Sequence, residues 1–520
     1  MKPLSGLDAT FLYLETPETP MHVGSFCLYE LPPGFKGSFH RAVKEHIARR
    51  MHLAPIFTRR LAFMPFDLGH PIWVEADQVD LDFHIHKAPG RRLTVRQAEA
   101  AAAKLHSRLI DREHPLWEFH IFDDIRPPAD MPHAGRLAGF YSKIHHAALD
   151  GKGGTVLANA ILDIGPTPRE VAPPDDAGRP RKASELKIGE MIGAVFSNSL
   201  VQYAKLARSL PAAASSLGGT IARRSVRGGG DGLRARMPLQ LAPRTIFNVG
   251  ITPQRAFATA TLPFAECKAL AKNVGGSFND IVLWICATAL RDYLARHGTL
   301  PKKPLVAAMP VSLREESNKE LNNQASITVV QLGTHIGNPL KRMNAILEST
   351  AKVKEALAGL KSVLPTDYPS LFAPWLVGGA GKAVFRTYGR SGITERLPAI
   401  ANLAISNVPG PQVPLYLAGA RMVTFHPLSI VMHGLALNIT IQTYAGRVDF
   451  GIIADRKAVP HVHDLASALE HAFEEAKGLF AAPDVQAPET KPPRKKPAKK
   501  AATKAPAGVA RKRAAVAEAA

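Results

Sequence analysis

The feature that most constrains this chain is an apolar segment, Leu137–Ile144, that ends in two adjacent histidines. The segment has the length and composition of a buried strand, and His145 and His146 follow it directly. Asp150 and Gly151 come next, separated from the histidines only by Ala, Ala and Leu. A neutral imidazole can take a proton from a hydroxyl near neutral pH and return it. The pattern therefore predicts a strand that presents a histidine base at its end.

Other interpretations of this segment stay open. Adjacent histidines also occur by accident at protein surfaces, and a metal site would use the same side chains. Zinc needs further ligands at regular spacing, and none stands out near His145 and His146, so we expect no metal. Asp150 can pair with a cation or hold a histidine tautomer, and Gly151 permits a turn that a Cβ would resist.

A second pair of histidines lies in the segment Asp80–His86. The alternation of polar and apolar residues there predicts a half-buried strand. On such a strand His84 and His86 share one face, as two metal ligands might. We favour a solvated strand face over a metal site.

The charge and the cysteine content of the chain indicate which binding partners and which redox compartment suit it. The formal net charge is +21, and Lys491–Ala520 contain ten Lys or Arg and one Glu. Basic surfaces suit CoA, anionic lipid head groups or nucleic acid, although the tail could equally be a solubilising segment. The three cysteines lie far apart and give no disulfide framework, which fits a reducing compartment.

Membrane contact is expected to be peripheral. The segment Met1–Glu15 lacks the basic and apolar regions of a signal peptide, and no run is apolar enough to span a bilayer. Helical periodicity in Ala183–Ile221 predicts amphipathic helices. These helices either lie on a membrane surface or pack between domains.

The residues His145-His146-x-x-x-Asp150-Gly151 resemble the signature of the CoA-dependent acyltransferase superfamily. That superfamily includes chloramphenicol acetyltransferase and the condensation domains of peptide synthetases. From Pro3 to Leu479 the chain resembles its bacterial wax ester synthase/diacylglycerol acyltransferase family, with Ser406 for the usual Thr and Asn322 for the usual Gly. The motifs that carry the resemblance are Pro115-Leu116-Trp117, Ala242-Pro243-x-Thr245, Asn279-Asp280, Pro310-Val311-Ser312-x-Arg314 and Ser406-Asn407-Val408-Pro409-Gly410-Pro411.

Several of these motifs also have an adequate structural explanation. In Pro115–Trp117 the proline ends a helix and the next two residues start a buried strand, although the family places this motif beside the active channel. Asp280 suits a helix cap, whereas Asn279 can cap the same helix or shape the channel floor. Arg314 is a candidate ion-pair partner for Asp150.

The resemblance implies an α/β (α+β) fold of two chloramphenicol-acetyltransferase-like lobes. Each lobe would be a mixed sheet with flanking helices, a linker would join the lobes, and the active channel would lie between them. We place the N-terminal lobe at residues 1–165 and the linker with its amphipathic helices at 166–241. The C-terminal lobe follows at 242–480 and a disordered basic tail at 481–520.

The activity that the resemblance implies is acyl-CoA-dependent O-acyl transfer to diacylglycerol or a long-chain alcohol, which makes triacylglycerol, wax esters or both. His146 would be the general base in a direct transfer, His145 would support the site, and Asp150 would hold the loop. Acyl-CoA would be the co-substrate, with no bound cofactor.

Two alternatives to this activity stay open, and one expectation concerns location. The first alternative is an acyltransferase of the same superfamily with a small or carrier-bound acceptor. The second is a non-catalytic protein that binds lipid droplets or polyanions, with residues 491–520 as a possible nucleic-acid contact. We expect a cytoplasmic protein at the inner face of the plasma membrane or on lipid inclusions.

Overall fold

The computed structural model describes residues 2–63, 70–128, 131, 135–149, 153–173, 241–312, 325–360, 387, 392–396 and 398–481. The strands in these residues are β1 (Lys2–Pro3), β2 (His22–Glu30), β3 (Arg59–Ala62), β4 (Ile72–Glu75), β5 (Ile85–Lys87), β6 (Trp117–Ile125), β7 (Leu137–His145), β8 (Arg255–Pro263), β9 (Val306–Ser312), β10 (Ala325–Gln331), β11 (Leu403–Val408), β12 (Tyr416–Leu417), β13 (Ala420–Leu428), β14 (Leu437–Tyr444) and β15 (Arg447–Asp455). The helices are α1 (Gly6–Leu14), α2 (Phe39–Ala48), α3 (Leu81–His84), α4 (Val95–His106), α5 (Gly153–Ile161), α6 (Phe264–Asn273), α7 (Phe278–His297), α8 (Pro339–Leu360) and α9 (Val462–Phe480). Short 3₁₀ turns lie at Met51–Leu53, Pro55–Phe57, His146–Ala148 and Ile393–Glu395.

The sheet that carries the histidine pair has the strand order β12-β13-β2-β7-β6-β5. Strand β7 is antiparallel to both of its neighbours, and β5 pairs in parallel with β6. All nine residues of β7 are buried, which explains why the segment is so apolar: a strand covered on both faces has no solvent side. The predicted strand is confirmed and extends through His145. A smaller sheet has the order β1-β4-β3.

The second large sheet has the order β10-β9-β11-β14-β15-β8, with β11 parallel to β9 and to β14. Its core is filled by side chains of α6, α7 and α9. The run of α7 from Ile281 to Leu290 is buried throughout, as expected for a helix that is apolar around its whole circumference. Two sheets, each with parallel and antiparallel pairs and flanking helices, confirm the predicted mixed α/β class.

One strand crosses between the halves of the chain. β13 pairs antiparallel with β2, from Arg421 opposite Glu30 to Leu428 opposite Gly24. β12 then pairs with β13. A segment that the sequence assigns to a C-terminal lobe at 242–480 therefore completes the N-terminal sheet. Without it, β2 would present an unpaired edge.

The hairpin β14–β15 has a tight two-residue turn. Ala445 and Gly446 both have positive φ, 43° and 82°. Two successive residues with positive φ are typical of the two-residue hairpin turn whose twist matches that of the strands. The register Tyr444 opposite Arg447 fixes the turn at these two residues.

The expected strand over Asp80–His86 is wrong for most of its length. Asp80 caps a single helical turn, α3, by accepting a hydrogen bond from the Asp82 amide at 2.8 Å. Only Ile85–Lys87 is extended. His84 and His86 therefore do not share a strand face. His84 is buried, its Nδ1 lies 2.8 Å from the Trp117 carbonyl oxygen, and its ring stacks on Trp117 at 4.2 Å between centroids.

Several predicted features lie outside the described residues. They are the amphipathic helices of 183–221, the Gly/Arg-rich stretch of 223–236, a helix expected near 371–385, the tail from 482 onward, Asn322, and the site candidates Asp150, Gly151 and Arg314. Among the residues that are described, no helix combines the length and apolar character needed to cross a bilayer.

Candidate active site

The two histidines occupy the turn that follows β7. The His145 amide donates to the Leu116 carbonyl at 3.0 Å, and the His146 amide donates to the Met21 carbonyl at 2.8 Å. The chain then enters the 3₁₀ turn His146–Ala148, for which His145 is the N-cap. Backbone hydrogen bonds to two separate segments thus fix where the histidines emerge from the sheet.

His146 lies in an apolar setting. Its ring stacks on Phe11 of α1, with 3.9 Å between centroids and 17° between planes. The side chain is partly exposed, but its Nδ1 is buried and has no hydrogen-bond partner among the described residues. Burial, with a smaller contribution from the charge of His145, lowers the pKa of His146 to about 4. The imidazole is therefore neutral at physiological pH and able to accept a proton.

The helix that supplies Phe11 begins at a side-chain cap. The Ser5 hydroxyl oxygen accepts a hydrogen bond from the Asp8 amide at 3.1 Å, and the hydroxyl donates to Asp8 Oδ2 at 2.6 Å. Serine is one of the residue types favoured at this capping position. Its consequence for the site is that α1 starts at a defined residue and places Phe11 against His146.

His145 is fully buried and has a defined tautomer. Its Nδ1 accepts a hydrogen bond from the Ala147 amide at 3.1 Å. In the neutral ring the proton therefore lies on Nε2, which is 3.3 Å from Glu15 Oε1. The two groups are in contact without full hydrogen-bond geometry, since Nε2 has no well-aligned acceptor in the described residues. His145 thus shapes the turn on one side and faces an acid on the other.

Glu15 is a buried acid that no sequence pattern predicted. Its carboxylate accepts hydrogen bonds from Arg112 at 2.6 and 3.1 Å and from the Met21 amide at 3.1 Å. Burial acts to raise the pKa of Glu15, but His145, Arg112 and the Met21 amide outweigh it and lower the pKa to about 2. Glu15 is therefore ionised beside His145. No spacing signal marks it, because it lies far from the histidines in sequence.

The Pro115-Leu116-Trp117 motif reaches the site through its backbone. Leu116 and Trp117 are buried at 0% and 1% exposure, and β6 begins at Trp117, so the expected buried strand is present. The expectation that Pro115 ends the preceding helix is wrong, because α4 already ends at His106. The Leu116 carbonyl oxygen is the acceptor for the His145 amide. The motif therefore anchors the turn that holds the histidines.

Asn279 and Asp280 lie at the start of α7. Asp280 Oδ2 accepts from the Ser277 amide and from the Ser277 hydroxyl, both at 2.7 Å, which forms a capping box. Asn279 Oδ1 accepts from Asn407 Nδ2 at 2.6 Å. Within the described part of the chain, no hydrogen bond or ring contact joins Asn279 or Asp280 to the histidine pair. The capping explanation accounts for Asp280.

The chemistry of the three cysteines is also defined. All three are buried. Burial raises the pKa of Cys27, Cys267 and Cys286 to about 12 each. They are neutral thiols at physiological pH, and the thiolate is the nucleophilic form.

Comparison with known proteins places this architecture in a family. The model of the wax ester synthase/diacylglycerol acyltransferase catalytic domain matches residues 4–282, and that of the WS/DGAT C-terminal domain matches residues 321–477. The chain is 32% identical over 480 residues to the probable diacylglycerol O-acyltransferase tgs2 of Mycobacterium tuberculosis, covering 90% of this chain and 97% of that protein. It is 31% identical over 489 residues to the O-acyltransferase WSD of Acinetobacter baylyi, covering 92% and 98%.

A solved structure extends the likeness to the fold. The wax ester synthase/diacylglycerol acyltransferase from Marinobacter aquaeolei aligns over 92% of this chain and 100% of that chain, with a TM-score of 0.62 and 26% identity. The chain therefore carries the catalytic domain of an O-acyltransferase. More narrowly, the chain belongs to the wax ester synthase/diacylglycerol acyltransferase (WS/DGAT) family.

Proposed function

We propose that the protein transfers a fatty acyl group from acyl-CoA to the hydroxyl of diacylglycerol or of a long-chain alcohol, with His146 as general base. The products are triacylglycerol, wax esters or both, together with free CoA. The observation that carries the proposal is the neutral imidazole of His146 at the end of β7, inside the family's catalytic domain.

The reaction balances with a single proton carrier. His146 takes the proton of the acceptor hydroxyl while the oxygen attacks the thioester carbonyl carbon. The tetrahedral intermediate then expels the CoA thiolate, and the imidazolium returns the proton to the sulfur. The acyl group moves directly, so no enzyme nucleophile is required. The raised pKa values of the three cysteines support direct transfer, because no reactive thiolate is present at neutral pH.

The supporting residues have different roles in this proposal. His145, ionised Glu15 and Arg112 hold the turn that presents His146. Leu116, directly before β6, anchors the turn through its carbonyl oxygen. Asp150 is proposed to hold the loop after the turn. Its pairing with Arg314 stays a prediction, since neither residue is among the described ones.

The setting of the reaction is part of the proposal. Long-chain acceptors are held in membranes and lipid inclusions, so the enzyme would act at the inner face of the plasma membrane or at an inclusion surface. The net charge of +21 would favour anionic head groups and the phosphates of CoA. The basic segment of residues 491–520 could add contact with lipid or with nucleic acid.

The test is acceptor-dependent release of CoA thiol from palmitoyl-CoA by the purified chain, with hexadecanol or dioleoylglycerol as acceptor. His146→Ala removes the base and should reduce the rate by at least about a hundredfold, the usual contribution of a positioned base. His471→Ala is the matched control, because His471 is exposed on α9 and should leave the rate unchanged. Circular dichroism verifies that both variants fold.

The outcomes separate the candidate functions. Loss of release in His146→Ala, with product formed on one acceptor, supports the proposal and identifies that acceptor. A folded His146→Ala variant with most of its rate would contradict the role of the base. No release from the folded wild type with either acceptor would favour a small or carrier-bound acceptor, or a non-catalytic binding protein.

A further inference from the structure

A second group of histidine and carboxylate side chains lies on the same sheet as the active-site pair. β5 and β6 are parallel, and their register sets His86 beside His120. Glu118 lies two residues before His120 on β6, so both side chains point to the same face of the sheet. The rings of His86 and His120 stack at 4.8 Å between centroids. Three side chains with metal-binding atoms therefore converge from two neighbouring strands.

The distances between the ligand atoms suit a small metal ion. One atom from each of His86, Glu118 and His120 lies within 4.8 Å of the other two. His120 Nε2 and Glu118 Oε2 are 3.3 Å apart. In a tetrahedral zinc site with bonds of about 2.0–2.1 Å, two ligand atoms are separated by about 3.3–3.4 Å. One edge of the tetrahedron is thus already formed, and the ligand atom of His86 lies within 4.8 Å of both other atoms.

We propose that His86, Glu118 and His120 form a binding site for Zn²⁺ or a similar divalent transition metal. Two imidazoles and one carboxylate are a ligand set that zinc accepts, with water in the fourth position. His86 and Glu118 are partly exposed, which leaves room for that water. The site does not depend on the proposed acyl transfer, because it is argued from geometry alone.

Lys143 would compete with a metal ion for the carboxylate of Glu118. Its Nζ is 2.7 Å from Glu118 Oε2 and donates to the Arg108 carbonyl at 3.3 Å, and its side chain is 1% exposed. A metal ion and a buried ammonium group repel each other, so both cannot share the carboxylate without cost. Metal affinity should therefore be limited by Lys143, and removal of its charge should strengthen binding.

The experiment is a Co²⁺ titration of the full chain, followed by visible absorption and equilibrium dialysis, with Zn²⁺ as competitor. We expect one Co²⁺ per chain with the intense absorption of a tetrahedral site, displaced by Zn²⁺. His86→Ala and His120→Ala should each weaken binding by more than about tenfold, since even loss of an outer-shell partner costs that much. His471→Ala, an exposed histidine on α9, is the control and should bind like the wild type.

A further variant tests the competition directly. Lys143→Met should strengthen Co²⁺ binding by about tenfold or more, because Glu118 then has no buried cation beside it. Circular dichroism shows whether each variant is folded, and His86→Ala, at a partly exposed position, keeps the test decisive if a buried variant fails. The proposal is overturned if the wild type binds no Co²⁺ at 100-fold excess. It is equally overturned if His86→Ala and His120→Ala bind as the wild type does, which would indicate adventitious binding by other histidines.

Discussion

At the scale of single residues, the local setting of His146 decides its chemistry. An exposed histidine has a pKa near 6.5 and is half protonated in mildly acidic solution. Stacking on Phe11 and partial burial of the ring reduce the solvation that an imidazolium needs. The protonated form of His146 is disfavoured, and the base stays available over a wider pH range.

This setting predicts the pH dependence of the reaction. A histidine with a pKa of about 4 is about 90% neutral at pH 5, whereas one with the ordinary value of 6.5 is about 3% neutral. Since only the neutral ring can accept a proton, kcat/KM should be nearly the same at pH 5 and pH 7. The measurement is kcat/KM across this range, which reports groups of the free enzyme. A fall of more than tenfold by pH 5, in protein that remains folded by circular dichroism, would contradict the lowered pKa.

A second prediction concerns Glu15, which faces His145 Nε2 at 3.3 Å and binds Arg112. Glu15→Gln keeps the shape but removes the charge that both partners face. We expect the free energy of unfolding to fall by about 2 kcal/mol, the scale of a hydrogen bond to a charged group. The turn that presents His146 should also loosen, which lowers kcat by about tenfold with little change in KM.

The control for Glu15→Gln is Glu75→Gln. Glu75 also binds an arginine, Arg59 at 2.7 Å, but this pair is solvent-exposed, so its loss should be nearly neutral. Steady-state kinetics and urea unfolding of both variants provide the comparison. If Glu15→Gln matched Glu75→Gln in both measurements, Glu15 would have no role in holding the site.

The sequence predicted the catalytic candidate but not its support. His145 and His146 are adjacent and follow an apolar strand, so a local pattern reveals them. Glu15 meets His145, and Arg112 meets Glu15, only through the tertiary fold, and pairings over such separations leave no spacing to detect. For the same reason, the sequence suggested Asp150, the acid nearest in the chain, as the group that could hold a histidine tautomer.

At the scale of elements, the sequence predicted secondary structure correctly where the local pattern favoured only one kind of element. β7 is mainly apolar and was predicted to within one residue. The segment Asp80–His86 has the alternation of a strand, but the Asp80 cap stabilises one helical turn over its first half. A capping residue therefore outweighed a short alternating pattern. As a result His86 lies beside His120 on the next strand, a juxtaposition that only the parallel register of β5 and β6 reveals.

The start of α7 offers a test of capping against channel lining. Asp280 is buried and binds both the amide and the hydroxyl of Ser277. Asp280→Ala should lower the free energy of unfolding by about 1 kcal/mol, the usual value of a helix cap. If capping is the whole role, kcat/KM should change by less than about twofold. A large loss of kcat/KM without loss of stability would instead place Asp280 at the substrate channel.

At the scale of the whole molecule, the halves of the chain are interlocked. β13 from the C-terminal half pairs with β2 along its length. Glu99 of α4 is buried and accepts hydrogen bonds from the Thr259 amide at 3.0 Å and from the Thr259 hydroxyl at 2.5 Å. It also lies 2.8 Å from His463 Nε2 of α9. The lobe boundaries predicted from the sequence do not include this exchange, because it joins residues hundreds of positions apart and leaves no local signal.

The interlock predicts that the N-terminal half does not fold by itself. A fragment of residues 1–240 keeps the histidine pair but lacks β12 and β13, so β2 becomes an exposed edge next to the strand that carries the site. We expect this fragment to aggregate or to lack near-ultraviolet circular dichroism, whereas the full chain unfolds in one cooperative transition. Co-expression with residues 241–520 should restore a soluble complex and its acyl-transfer activity, because the missing strands are then supplied in trans. A monomeric 1–240 fragment with native-like dichroism and its own melting transition would show that the N-terminal sheet is complete without the exchange.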